Sequence, residues 1–430
     1  MSRFAGIKDG RIKIISDKQF YCNDDIYIIE LDNSLNNVST QDLITKFKFK
    51  NGKIVACRGN KAIKDIKIAL VGNWKMRCGI ATYSENLWYH IIDKVGDYKL
   101  FIEDVNNFVG APTSIKDKNI SSDKIVACWK RGNSLQNLVQ EIKKYDPDIV
   151  WIQHEFGLWP NAGYWLSMMN QLSDYRVIVT MHSVFHHRDK TICEAAMPEI
   201  VAHLQGGADV LKKEKQVPGK VHIIPHGCDP CINSEKLWNF YKSDHTFMQF
   251  GFGFRYKGWE TCIKAASILK EKYPDVFFTG LFSESDYNAV EHHIYYNELM
   301  DLVNKLNVQE NVAIIRGFQS DATLDSYMRT NQAVVFPYVS NPQHEVFGAS
   351  GAARLAMSKG APVITSSVNH FSDLPTLKAD SPEEIANALL KIFSDKKFQQ
   401  NHINNQINYL SENTWEKVAQ KYISVFENGS

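Results

Sequence analysis

The sequence predicts an α/β protein built from two doubly wound parallel sheets in tandem, preceded by a small β-rich appendage. Three observations carry that reading. From Ile66 onward, apolar runs of strand length alternate with amphipathic helical stretches, the pattern that buries a parallel sheet between two layers of helices. The same alternation starts again at Thr246. A chain of 430 residues is also too long for one ordinary core, so two domains and a remainder is the expected count.

The opening residues, 1–65, form the remainder. Short alternating runs at Arg11–Ile15, Asp25–Leu31, Phe47–Lys50 and Lys53–Cys57 suit strands. Asn51-Gly52 between the last two reads as a hairpin turn, because both central residues of a type I′ turn need positive φ. In Lys46-Phe47-Lys48-Phe49-Lys50 the period of two puts every Lys on one face and both Phe on the other.

The first large unit, 66–235, has strands expected at Ile66–Val71, Ile149–Gln153, Arg176–Met181 and Val221–Pro225, with helices at Ala81–Asp93 and Leu135–Tyr145. The second, 236–410, repeats the scheme with strands at Phe247–Phe250, Val276–Leu281, Val312–Gly317, Ala333–Pro337 and Pro362–Ser366. Its helices are Glu260–Lys272, Tyr287–Leu306, Ser350–Lys359 and Glu383–Phe393. The last stretch, 411–430, carries an amphipathic helix over Trp415–Phe426 with no strand after it, so it is expected to pack back on a sheet already formed.

Composition excludes several classes. Hydrophobic residues at 44% and charged residues at 23% fit an average globular chain and leave no room for long disorder. Lys plus Arg is 49 against 48 Asp plus Glu, so no overall field draws the chain onto nucleic acid or an anionic membrane, and any such binding needs a local patch. The eight cysteines, Cys22, Cys57, Cys78, Cys128, Cys193, Cys228, Cys231 and Cys262, are scattered behind a polar Met1-Ser2-Arg3, which reads as reduced thiols in a cytoplasm. The longest apolar runs are strand-sized, far below the roughly 18 residues of a spanning helix.

Five motifs carry chemistry. Cys78-Gly79-Ile80-Ala81-Thr82-Tyr83 opens a helix after the first buried strand, where free N–H groups favour an anion, although taken alone it reads better as an ordinary βα loop. His154-Glu155 and His182 close two further strands, and ligands of open α/β sheets sit at such ends. His186, His187, Cys228 and Cys231 make only a weak metal set, and no metal is expected. Arg255 and Lys257, beside Gly251, Gly253 and Gly258, suit a diphosphate clamp. Finally, His344-Glu345-Val346-Phe347-Gly348-Ala349-Ser350-Gly351 leads into a helix that ends at Gly360, so N–H groups near Ser350 and Gly351 would meet an anion and Glu345 would meet hydroxyls.

These pieces resemble the GT-B glycosyltransferases of the family-four type. The matching segments run from Ile66 to about Pro375: Cys78 to Tyr83, Ile223-Ile224-Pro225-His226-Gly227-Cys228-Asp229, Tyr256-Lys257-Gly258, Glu345 to Gly348, and Gly360-Ala361-Pro362-Val363-Ile364. The resemblance implies two Rossmann-like domains facing a cleft, and a retaining, metal-independent transferase that uses a nucleotide-sugar donor as substrate and no cofactor. It implies catalytic roles for Glu345, His182, Lys257 and Arg255. Donor contacts would come from Gly79, Arg255, Lys257, Glu345, Phe347, Gly348, Ser350 and Gly351, and acceptor-side contacts from His154, Glu155, Cys78 and Tyr83.

The sequence also departs from the family. A second Glu usually precedes the Ala-Met pair, but Leu355 precedes Ala356-Met357 here, so ribose recognition is expected to shift to Ser350 or Arg354 and the nucleotide is open. Asp146-Pro147-Asp148, the only Asp-x-Asp spelling, precedes a strand, at the wrong end for a ligand. The acceptor implied is a glycan or a lipid-linked saccharide. The opening segment is similar to small domains of bacteriophage proteins, and its Lys46, Lys48, Lys50, Lys53, Arg58, Lys61 and Lys64 raise the alternative of hydroxymethylated DNA as acceptor. A sugar-nucleotide epimerase and a non-catalytic binding module share the fold and stay open at this stage.

Overall fold

Among the described residues the chain opens on five short strands: β1 (Phe4–Lys8), β2 (Arg11–Ser16), β3 (Tyr27–Glu30), β4 (Phe47–Lys50) and β5 (Lys53–Ala56). They form a sheet of their own in the order β3-β1-β2-β4-β5 with antiparallel pairing throughout. The structure, a computed structural model, describes residues 4–8, 11–16, 27–31, 47–50, 53–56, 61–76, 78–105, 120–186, 198–214, 219–232, 244–284, 288–340 and 345–428. The Asn51-Gly52 turn, Lys46, Arg58, His187, His344, Cys22, Cys57 and Cys193 lie outside the described residues.

The next strands are β6 (Lys67–Gly72), β7 (Asp97–Glu103), β8 (Ile125–Trp129), β9 (Ile149–His154), β10 (Arg176–Met181), the two-residue β11 (Val184–Phe185), β12 (Glu199–Ala202) and β13 (Val221–Ile223). All except β11 join a parallel sheet ordered β13-β12-β10-β9-β6-β7-β8. Every residue of β9 is buried, as a central parallel strand covered on both faces requires. The chain winds outward from β6 in one direction and from β9 in the other, so the topological switch lies between these two strands. A crevice opens there at their carboxyl ends.

The second sheet repeats this plan with β14 (Thr246–Phe252), β15 (Phe277–Ser283), β16 (Val312–Arg316), β17 (Ala333–Phe336), β19 (Val363–Thr365) and β20 (Leu377–Lys378), ordered β16-β15-β14-β17-β19-β20. Between β17 and β19 lies β18 (Val346–Phe347), which belongs to neither large sheet. The switch point here is between β14 and β17. Both crevices therefore belong to strands that begin their half of a sheet.

The final helix, Trp415–Glu427, turns a sheet-facing stripe of Trp415, Val418, Ala419, Tyr422, Ile423 and Phe426 into the core that holds Trp88 and Trp151. It follows the second sheet in sequence and completes the first. The helix before it, Lys396–Glu412, stays with the second sheet, where Gln406 brackets the strand backbone through Val363 N and Ala361 O. Among the described residues no helix is long and apolar enough to cross a membrane.

Candidate functional site

The two switch points face each other, and one short ladder joins them. β11, just beyond β10, pairs antiparallel with β18: Val184 opposite Phe347 and Phe185 opposite Val346. Glycines allow the approach. A Cβ on Gly206 would lie 2.5 Å from the Phe347 ring, and one on Gly348 would lie 2.8 Å from the His182 carbonyl oxygen, both inside contact distance.

Glu345 sits directly before β18, half exposed, with a partner on each oxygen. The Asn369 amide donates to Oε1, and the His186 ring meets Oε2 at 3.1 Å from the other domain. The Ser350 hydroxyl caps the helix Gly351–Ser358 by accepting from Ala353 N. Its neighbour Gly351 starts the helix beside His226, whose Nε2 would be 3.5 Å from a Cβ there.

Lys257 ends a single 3-10 turn, Arg255–Lys257, stopped by Gly258 at φ +65, where a Cβ would strike the Pro337 carbonyl oxygen at 2.1 Å. The turn folds the Lys257 amine inward. It donates to the Tyr338 hydroxyl and lies 4.3 Å over that ring. The residue is only 9% exposed, and burial pushes the Tyr338 hydroxyl well above its usual range. His370, packed on Tyr256 and Tyr338, is pulled down to about 4 by burial and then by the Lys257 charge.

Arg255 points elsewhere. Its guanidinium binds Glu291 at 2.7 Å and Glu298 at 2.6 and 2.9 Å, and lies over the Tyr295 ring. These carboxylates push its already high affinity for the proton higher still. The expected pair of cations is thus divided between the cleft wall and an outer helix.

On the other domain, His182 follows β10 and meets Gln153 Oε1 through Nε2 at 2.9 Å. With an amide oxygen opposite, Nε2 carries the proton and Nδ1 is the acceptor. Burial, then the neighbouring His203 and His154, hold this imidazole neutral well below its ordinary pKa. His203 is likewise lowered to about 4 by burial. Glu155 accepts from the Ser183 hydroxyl beneath the same ladder. Cys78 and Gly79 stand at the start of the helix Gly79–Tyr89, with open space where a Gly79 Cβ would go.

Three expectations need correction. Tyr83 is 1% exposed and its hydroxyl meets Tyr422, so it packs the core rather than facing an acceptor. His154 is 2% exposed against Phe156 and Trp165, and desolvation lowers it to about 3. Arg354 is 1% exposed and bonds Asp373, Tyr409 and the Ser350 carbonyl, so its guanidinium is held inside the domain rather than presented to a ribose in the cleft. Sequence reasoning also missed Gln153, Tyr338 and Asn369. Gln153 could have been found from its place beside His154 at a strand end; Asn369 gives no motif at all. Among the described residues no group of three His, Cys, Asp or Glu is placed to hold a metal ion.

No protein-family model and no curated protein matches this sequence. Solved structures do. HepE of Anabaena in complex with UDP is similar at 13% identity and TM-score 0.60, over 84% of this chain and 99% of that one. Trehalose-6-phosphate synthase from E. coli bound with UDP-2-fluoro glucose is similar at 11% identity and TM-score 0.63, over 84% and 99%. Sucrose-phosphate synthase from Thermosynechococcus elongatus gives 15% identity and TM-score 0.62, over 84% and 98%. Two doubly wound parallel sheets meeting across a cleft, matched over nearly the whole of each of these chains, give this protein the GT-B fold.

Proposed function

We propose that the chain transfers a sugar from a nucleotide-sugar donor to an acceptor hydroxyl with retention of configuration. One observation carries the reading: the ladder between β11 and β18 sets Glu345 and the capped helix at Gly351 of one domain against His182 of the other. The neighbours bound to UDP and UDP-2-fluoro glucose support a nucleoside diphosphate donor.

In this reading the donor diphosphate lies at the N–H groups of Gly351 and its neighbours, with the Lys257 amine alongside. As the bond from the sugar C1 to the phosphate oxygen breaks, its electron pair stays on that oxygen, and Lys257 and the helix terminus offset the charge. The acceptor oxygen forms its bond to C1 on the same face, and its proton passes to the departing phosphate oxygen. Neutral His182 accepts from a sugar hydroxyl at Nδ1 without competing for the diphosphate. Glu345 accepts from hydroxyls of the transferred sugar, and the acceptor is a glycan or a lipid-linked saccharide.

Release of free sugar from UDP-, ADP-, GDP- and TDP-sugars, assayed without acceptor, tests this. Slow hydrolysis of one of them is expected, with loss of more than about 100-fold in Glu345→Gln at unchanged melting temperature, since a half-exposed carboxylate contributes little to packing. Turnover in that variant equal to the parent, or an interconverted nucleotide sugar as product, overturns it.

A further inference from the structure

We propose that His226 is a ligand of the donor diphosphate and holds it as an imidazolium, so that donor capture takes up one proton. The inference deepens the transferase reading and rests on it. His226 lies in the crossing from the first domain to the second, nine-tenths buried, with the Tyr83 and Trp415 rings against it at centroid distances of 4.9 and 5.3 Å. Its Nδ1 is 2.6 Å from the Gly227 carbonyl oxygen. A carbonyl oxygen can only accept, so Nδ1 carries the proton and Nε2 of the neutral ring is bare.

That bare nitrogen is aimed at a helix start. A Cβ on Gly351 would lie 3.5 Å from Nε2 and 3.6 Å from Cε1, so this edge of the ring faces the first residue of the helix Gly351–Ser358. Of the four N–H groups that a helix start leaves over, Ser350 N goes to the His370 carbonyl and Ala353 N to the Ser350 hydroxyl. Gly351 N and Ala352 N remain. An anion held by these two donors would meet the Nε2 lone pair and be repelled. Turning the ring to its other tautomer only moves the conflict, since a bare Nδ1 would then face the Gly227 oxygen. A second proton satisfies both contacts at once.

The surroundings make that proton conditional on the anion. Burial first, then the Arg354 charge and the imidazoles of His203 and His182, hold the ring neutral well below its ordinary pKa. The other titratable neighbours stay uncharged near neutral pH: burial pushes the Tyr83 hydroxyl far up and the Cys228 thiol up to about 12. A phosphate oxygen at about 3 Å, in an effective dielectric of about 20, raises the affinity of the ring for its proton about 10,000-fold. Arg354 opposes this only in part, because Asp373 pairs with its guanidinium. Lys257 thus supplies a standing charge and His226 one that appears with the donor, which spares the fold a second buried cation.

The test is titration calorimetry of the full chain with UDP-glucose, and with ADP-, GDP- and TDP-glucose in parallel, in buffers of different ionisation enthalpy. The two phosphates of a nucleotide sugar do not titrate near neutral pH, so a proton taken up belongs to the protein. At pH 6.5 the parent should take up about 0.5–1 proton per donor bound. Its dissociation constant should weaken by up to about tenfold per pH unit toward pH 9, because a group that gains proton affinity in the complex favours binding at low pH. His226→Gln keeps an N–H without the charge; it should bind about tenfold more weakly at pH 6.5, take up no proton and lose the pH dependence. Gly351→Ala, whose Cβ meets Nε2 at ordinary contact distance, should keep the parent's melting temperature and take up less of the proton, since the methyl stands between ring and anion. Uptake that persists in His226→Gln places the charge on His182 or His203 and overturns the proposal, as does donor binding by the parent without uptake. Failure of the parent to bind any of the four overturns the transferase reading as well, so the two failures are distinct.

Discussion

The hydroxyls of Tyr83 and Tyr422 meet at 3.0 Å across 339 residues of sequence. Tyr422 also reaches Thr180 at 3.0 Å, and Thr180 accepts from Trp151 Nε1 at 2.9 Å. This chain of hydrogen bonds ties the first helix, two central strands and the last helix into one buried network. The C-terminal segment is thus a core element of the first domain, and its connection to the rest of the chain bears on several measurements.

Gly227→Ala should lower the melting temperature by several degrees. A Cβ there would lie 2.2 Å from the Trp415 ring, which is 6% exposed and packed among Tyr83 and His226. Overpacking of this kind costs about 1–3 kcal/mol. Thermal denaturation checks it, and an unchanged melting temperature would show that the linker moves away at no cost.

Lys257→Ala should weaken binding of UDP or its counterpart about 10- to 100-fold, the range expected for losing a charge-assisted contact of about 1.5–3 kcal/mol. Titration calorimetry on the variant reads this directly. Lys257→Arg should not rescue it, since the amine fits a pocket beside Gly251, where a Cβ would be 3.6 Å from Nζ.

The double substitution Glu291→Gln/Glu298→Gln should tighten donor binding several-fold if Arg255 also serves the diphosphate, because it releases the guanidinium from its present partners. Stability should barely change, as all three side chains are about half exposed. Donor affinity equal to the parent's would assign Arg255 to the outer helix alone.

Acid should destabilise the fold between about pH 6.5 and pH 4. At pH 5 an unfolded histidine binds a proton, whereas His203 at about 4 and His154 at about 3 stay neutral in the folded chain. The unfolded state then holds more protons, so stability falls as pH falls, by up to about 1.4 kcal/mol per pH unit for each group. His203→Gln should make the pH dependence of the denaturant midpoint shallower by about one proton over this window.

Much of the architecture was legible because parallel strands buried on both faces write themselves as continuous apolar runs. β6, β9, β10, β14 and β17 were all found that way. β7 was missed because its first half, Asp97-Tyr98-Lys99, is partly exposed and only the second half is buried. β12 is four residues long and opens on Glu199, a buried carboxylate that is paired with Arg176 and His222 and so reads as polar in sequence. Motif positions along the chain were legible too, but the directions of side chains were not. Nothing local to Arg255 announces that Glu291 and Glu298, on a helix more than thirty residues later, take its charge. Nothing local to Tyr83 announces Tyr422.

The ladder between β11 and β18 ties two events together. Drawing the two domains apart unpairs Val346 and Phe347 and takes His186 from Glu345 in the same movement. The carboxylate is therefore held from both sides only while the gap is shut, and bulk water has its freest access when that hold is broken. Readiness and isolation become a single coordinate, and a mutation that loosened the ladder would change both together.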